Sequence, residues 1–232
     1  MNELQGFGFV LPHWTYWGWL SFMPLLMLYM VKREAKKGVV DTPNKAEELI
    51  PDILADEDPV IHTEGNQVTK IIDKISDYTG LFIAFWTINA VVFYFYEVVM
   101  RYLFNMPTIW VHEASFLLFG MQYLMTGAYA MLHGAHVRVD ILYIKLPPRG
   151  RVGMDIFTSV FFFIFVIALI GTSWAFFISS FEMNETTLET WAIQYWPVKL
   201  LMFTGAILLM LAGISKLIKD IMLFRLMGEE KK

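Results

Sequence analysis

Residues 110–153, WVHEASFLLFGMQYLMTGAYAMLHGAHVRVDILYIKLPPRGRVG, decide how the chain is read. Ala114 to Leu132 is mostly apolar, and about 20 such residues suffice to cross the hydrocarbon core of a bilayer as a helix. The segment that follows carries Arg138, Lys145, Arg149 and Arg151, interrupted by Pro147 and Pro148. Basic loops of this kind stay on the cytoplasmic side. Placing this one inside orients every other span.

The composition agrees with a membrane protein. Of 232 residues, 56% are hydrophobic, with 20 Phe and 8 Trp, which a soluble domain does not sustain. The absence of cysteine excludes a disulfide framework, a thiolate nucleophile and any cysteine-ligated metal or iron–sulfur centre. The formal charge of −4 is unevenly spread and leaves no basic face interleaved with aromatics, so nucleic acid is excluded as a partner.

The first apolar stretch, Phe9 to Val31, ends at the basic cluster Lys32 to Lys37. His13, Trp14, Tyr16, Trp17 and Trp19 gather at its start, where an interfacial aromatic belt belongs. Only Glu3 is charged ahead of it and no Ala-x-Ala precedes the lysines, unlike a cleaved signal. The expectation is a permanent helix with its N-terminus outside; a re-entrant hairpin at Pro24 is the alternative. The stretch from Gly38 to Asn66 is acidic and proline-bearing, too poor in large apolar residues to bury a core. It reads as a cytoplasmic linker, with a possible short helix after Thr42-Pro43. Val68 to Ile75 is amphipathic and leads into the next span along the inner interface.

Four further spans are expected: Tyr78 to Phe104, Val111 to His133, Met154 to Phe181 and Trp196 to Leu223. With residues 32–77, 134–153 and 216–232 inside, 16 of the 18 Lys and Arg are cytoplasmic, all but Arg101 and Lys199. That asymmetry predicts an all-α polytopic protein of five helices, N-terminus out and C-terminus in.

Ionisable groups in spans are candidates for function. Glu97 and Arg101 stand one turn apart near the outer end of the second span, and Glu113 opens the third. Arg101 is expected to pair with Glu97, Glu113 or both, as a clasp between antiparallel helices; an ion relay is the rival reading. His112 marks one membrane face while His133 and His136 mark the other, which disfavours haem between facing histidines. No metal and no cofactor are expected. Asp140 follows Arg138 in HVRVDILY, a short amphipathic run, so His136, Arg138 and Asp140 are candidates for a subunit or membrane-surface contact. Spans four and five carry small residues at packing intervals, including Gly171 and Gly213. No span has the broken helix or dense polar stripe of a conduction path, so a self-sufficient channel or carrier is disfavoured.

RYLFN at 101–105, W-x-x-E at 110–113, Gly120, HGAHVRVDIL at 133–142 and LPPRGR at 146–151 together resemble the small, DctQ-like membrane subunit of TRAP (tripartite ATP-independent periplasmic) transporters. EMNETTLETWAIQYWPVKLLM is similar to the periplasmic loop and last helix of longer members. The resemblance covers roughly residues 70–225. It implies a four-helix core at 70–232, to which this chain adds an N-terminal transmembrane helix at 1–37 and the acidic linker at 38–69. It further implies a large membrane subunit holding the substrate and sodium sites, a periplasmic substrate-binding protein and a place in the bacterial inner membrane. The substrate would be an organic acid, and this subunit a non-enzymatic scaffold. The rival from another class is a membrane anchor of a respiratory oxidoreductase binding haem or quinone.

Overall fold

The computed structural model describes residues 10–36, 66–135 and 146–229. Among the described residues there are six helices: α1 (His13–Lys36), α2 (Gln67–Ala84), α3 (Trp86–Leu103), α4 (Val111–Leu132), α5 (Pro148–Glu182) and α6 (Trp196–Glu229). Strand structure among them is limited to an isolated antiparallel bridge between Thr186 and Gln194. The acidic stretch 37–65, with the short helix expected after Thr42-Pro43, lies outside the described residues, as does 136–145.

Four helical segments are long and apolar enough to cross a membrane: Gln67–Leu103, Val111–Leu132, Pro148–Glu182 and Trp196–Met227. The first joins α2 to α3, because Phe85 between them keeps near-helical torsions (φ −68°, ψ −17°). The amphipathic run expected ahead of the second span is therefore its first turns. α5 begins at Pro148 rather than Met154, since proline suits the first turn of a helix, where its missing N–H has no partner to lose. α1 spans 24 residues but is less apolar than the other four, because its first half carries His, Thr, Gly, Ser and four indole or phenol rings, and its end carries Lys32, Arg33, Glu34 and Lys36.

Helix ends are set by local chemistry. α4 closes on Gly134 (φ 64°), with Ala135 N–H donating to Ala130 O at 2.8 Å and Gly134 N–H to Met131 O at 3.4 Å. That is the paired-bond C-cap that satisfies the last carbonyls, and it needs a residue tolerant of left-handed torsions. Asn184 (φ 48°) does the same for α5, with Glu185 N–H on Ser180 O at 3.0 Å.

The chain forms two compact units. One comprises Met1–Val40, Leu81–Met125 and Ser173–Met202. In it α1 lies against α3 and α4 through Tyr16, Leu20 and Met23, all buried. α1 continues past Pro24, where proline removes the donor that would have met the carbonyl of Leu20. The indole Nε1 of Trp86 donates to that carbonyl at 2.9 Å instead. Trp19 Nε1 donates to Asn89 Oδ1 at 2.7 Å, and Tyr16 Oη to Ala114 O at 2.7 Å. In lipid every polar group must find a protein partner, so these bonds fix how α1 docks.

The other unit comprises Asp41–Gly80, Thr126–Thr172 and Phe203–Lys232. Here α2 packs on α4 so closely that a Cβ on Gly80 would lie 2.1 Å from the Tyr129 ring. α5 meets α6 with the Phe162 ring over Gly213, whereas Gly171 has open space around it. Asp73 of α2 accepts from Lys219 Nζ and from Ser215 Oγ of α6, each at 2.7 Å. Asp77, one turn on, meets His133 Nε2, just past the end of α4, at 2.9 Å. Both carboxylates of α2 are thus spent on neighbouring helices.

Candidate functional site

In the first unit, polar side chains and a folded-back loop gather at the helix ends. Glu97 lies on the buried side of α3 and accepts from Arg101 Nε at 2.8 Å and again from Nη2. Its other oxygen accepts from the backbone N–H of Thr108, 3.0 Å away, and from the Thr108 hydroxyl. Asn105, at φ 54°, turns the chain so that Met106 N–H reaches back to Met100 O, which brings Thr108 under Glu97. One carboxylate therefore holds both the last turn of α3 and the loop after it.

Glu113 is buried in the first turn of α4, where an acid favours the positive end of the helix dipole. Its partner is the hydroxyl of Thr187. Of the three residues expected to form a clasp, Arg101 and Glu97 are brought together; Glu113 instead holds the loop between α5 and α6. His136, Arg138 and Asp140 lie outside the described residues.

That loop, 183–195, doubles back on itself. Thr187 N–H donates to Ile193 O and Tyr195 N–H to Glu185 O, both at 2.9 Å. The fold-back buries Trp191, at 4% exposure, in a loop that is otherwise acidic and polar. Its ring is edge-on to His13 (5.4 Å) and Tyr16 (5.2 Å), with Trp110 at 6.2 Å. Its indole N–H donates to Leu11 O, and His13 Nε2 meets Trp191 O, each at 2.9 Å. Trp191 is thereby the junction of α1, the loop before α4 and the loop before α6. At the loop's base, Lys199 Nζ bonds Glu185 and holds its carboxyl below the usual carboxylate range.

Neither Trp191 nor Thr187 was expected from the sequence as a site. The available signal was a tryptophan within a run of acids and threonines, a large apolar ring that gains by being covered.

Among the described residues no group of three or more His, Cys, Asp or Glu is placed to hold a metal ion. His112 and His133 mark opposite ends of one helix, α4, and His133 is engaged by Asp77 and the Tyr129 ring. The polar side chains described above bind helix to helix or helix to loop. Their chemistry is that of assembly.

Long apolar helices whose buried polar bonds are internal define a multi-pass α-helical membrane protein. The chain belongs to the family of the DctQ component of tripartite ATP-independent periplasmic transporters, which it matches over residues 90–222. It is thus a small permease subunit of a TRAP transporter, in a family of transporter components rather than enzymes. The match starts within α3 and ends within α6, so α1 and α2 precede it. No curated protein matches the chain.

Proposed function

We propose that this subunit is the scaffold partner of a large membrane subunit in sodium-coupled, binding-protein-dependent uptake of an organic acid. It lies in the bacterial inner membrane with its N-terminus periplasmic and its C-terminus cytoplasmic. The observation that carries the reading is family membership over α3 to α6. Two features support it. α5 exposes Phe157, Phe161, Ile164 and Phe165 along a segment that its own chain covers sparsely, which leaves surface for lipid and a second subunit. The charged pairs Arg101–Glu97 and Lys219–Asp73 are bonded within the chain, where they stabilise helices rather than receive a solute.

In this reading residues 1–37 are an added transmembrane helix, 38–69 a cytoplasmic linker and 70–232 the family core. Glu97, Arg101 and Glu113 tie helix ends to loops on the periplasmic side, and His136, Arg138 and Asp140 contact the large subunit or the inner membrane surface. The test is reconstitution. The large subunit in liposomes, with its binding protein and a sodium gradient, should take up solute only when this chain is present. Uptake by this chain alone, or by the large subunit without it, would refute the scaffold role. Replacing Arg138 by Ala should weaken copurification of the two membrane subunits; wild-type assembly and uptake would remove that contact.

A further inference from the structure

α2 presents two unlike faces. Thr69, Ile72 and Ser76 are buried, whereas Val68, Ile71, Ile75 and Tyr78 recur at helical spacing as an exposed apolar stripe. Lys70 and Lys74, one turn apart, flank that stripe and are exposed. An open groove of about 350 Å³ follows it, lined by Ile71, Lys74, Ile75, Tyr78 and Thr79. Among the described residues Lys74 has no carboxylate partner, while the nearby acids Asp73 and Asp77 are taken by Lys219 and His133.

Helix length gives the depth of this face. Gln67–Leu103 is 37 residues, or about 55 Å at 1.5 Å per residue, against a hydrocarbon core of about 30 Å. Arg101, half-exposed, holds its own end at an interface. The run Tyr78–Tyr96, free of charged residues, is long enough to fill the core and leaves the turn bearing Lys74 at the headgroup level, with Lys70 one turn further toward water. At that depth water meets the stripe unless an amphipathic molecule covers it. The cover must be apolar along Ile71, Ile75 and Tyr78 and negative beside the lysines.

We propose that this face of α2 is a binding site for an anionic phospholipid. Its phosphate meets Lys74, with Lys70 one turn along, and its glycerol and upper acyl carbons cover Ile71, Ile75 and Tyr78. A lipid of net negative headgroup is preferred over a zwitterionic one, whose own cation the lysines repel. This goes beyond the scaffold role and needs only that the chain spans the membrane.

The test uses the full chain in complex with its large subunit, purified in mild detergent, delipidated and titrated with phosphatidylglycerol or phosphatidylcholine under native mass spectrometry. Wild type should retain phosphatidylglycerol preferentially. Lys70→Gln and Lys74→Gln should each weaken that retention roughly five-fold and leave phosphatidylcholine unchanged. Lys74→Arg should keep the preference, and an unaltered circular dichroism spectrum excludes misfolding. Equal phosphatidylglycerol retention by wild type and the double Gln variant overturns the proposal. So does a photoreactive residue at position 75 that crosslinks the large subunit instead of lipid, which would make this face a protein interface.

Discussion

The Leu20 carbonyl accepts the indole N–H of Trp86 at 2.9 Å, in the place that the amide of residue 24 would fill were it not proline. A helix defect is thereby turned into an interhelical bond. Trp86→Phe should leave that carbonyl unsatisfied and cost about 1–3 kcal/mol. Pro24→Ala, by restoring the internal donor, should make the tryptophan hydrogen bond dispensable. A double-mutant cycle read by thermal unfolding in detergent checks this, and additive effects would count against the coupling.

Glu97 and Arg101 should not be equivalent. Arg101 is half-exposed, and removing it loses a surface-type pair of about 0.2–1 kcal/mol. Glu97 also receives two bonds from Thr108, so Glu97→Ala strands donors in a buried place and should cost about 1–3 kcal/mol. Comparing the two alanine variants by thermal shift decides it. Equal losses would mean that the loop bond contributes nothing.

Asp73 and Lys219 join α2 to α6 in a largely buried setting. Lys219→Met alone should cost about 3–5 kcal/mol, because a carboxylate is left without its counter-charge. Pairing it with Asp73→Asn should recover most of that loss. Expression level and unfolding temperature of the single and paired variants are the readouts.

Gly80 and Gly171 make opposite predictions for the same change. Ala at 80 puts a methyl into the Tyr129 ring and should cost about 1–3 kcal/mol. Ala at 171 meets nothing within 4 Å and should be neutral or stabilising within this chain. A loss of copurification in Gly171→Ala with stability intact would locate a partner helix there.

Acid should loosen the 183–195 loop. Lys199 holds the Glu185 carboxyl below its ordinary value, so on acidification the unfolded chain binds the proton first. The contribution is fully present above the ordinary glutamate range and is lost as pH falls through the depressed folded value. Glu185→Gln should flatten the acid limb of a stability–pH curve. An unchanged limb would place the acid sensitivity elsewhere.

Hydropathy alone located α4 and the start of α6 at Val111 and Trp196, because apolar runs there begin at polar or proline-bearing junctions. It missed the start of α5, since Arg149 and Arg151 read as loop although a helix continues past the membrane core. The Glu97–Arg101 pair was legible as a one-turn spacing. The partners of Asp73, Glu113 and Trp191 were not, because they lie 146, 74 and 180 residues away and nothing local records such distances. The role of Pro24 was hidden for the same reason: the donor that replaces its amide is on another helix.

Trp191 also sets a timetable. The residue that fastens Leu11 and His13 is made about 180 residues after them, an interval on the order of ten to thirty seconds at bacterial-scale rates of synthesis. Until then α1 is without its latch. A ribosome stalled before codon 191 should therefore leave α1 open to protease or to extraction, and release of the stall should close that window.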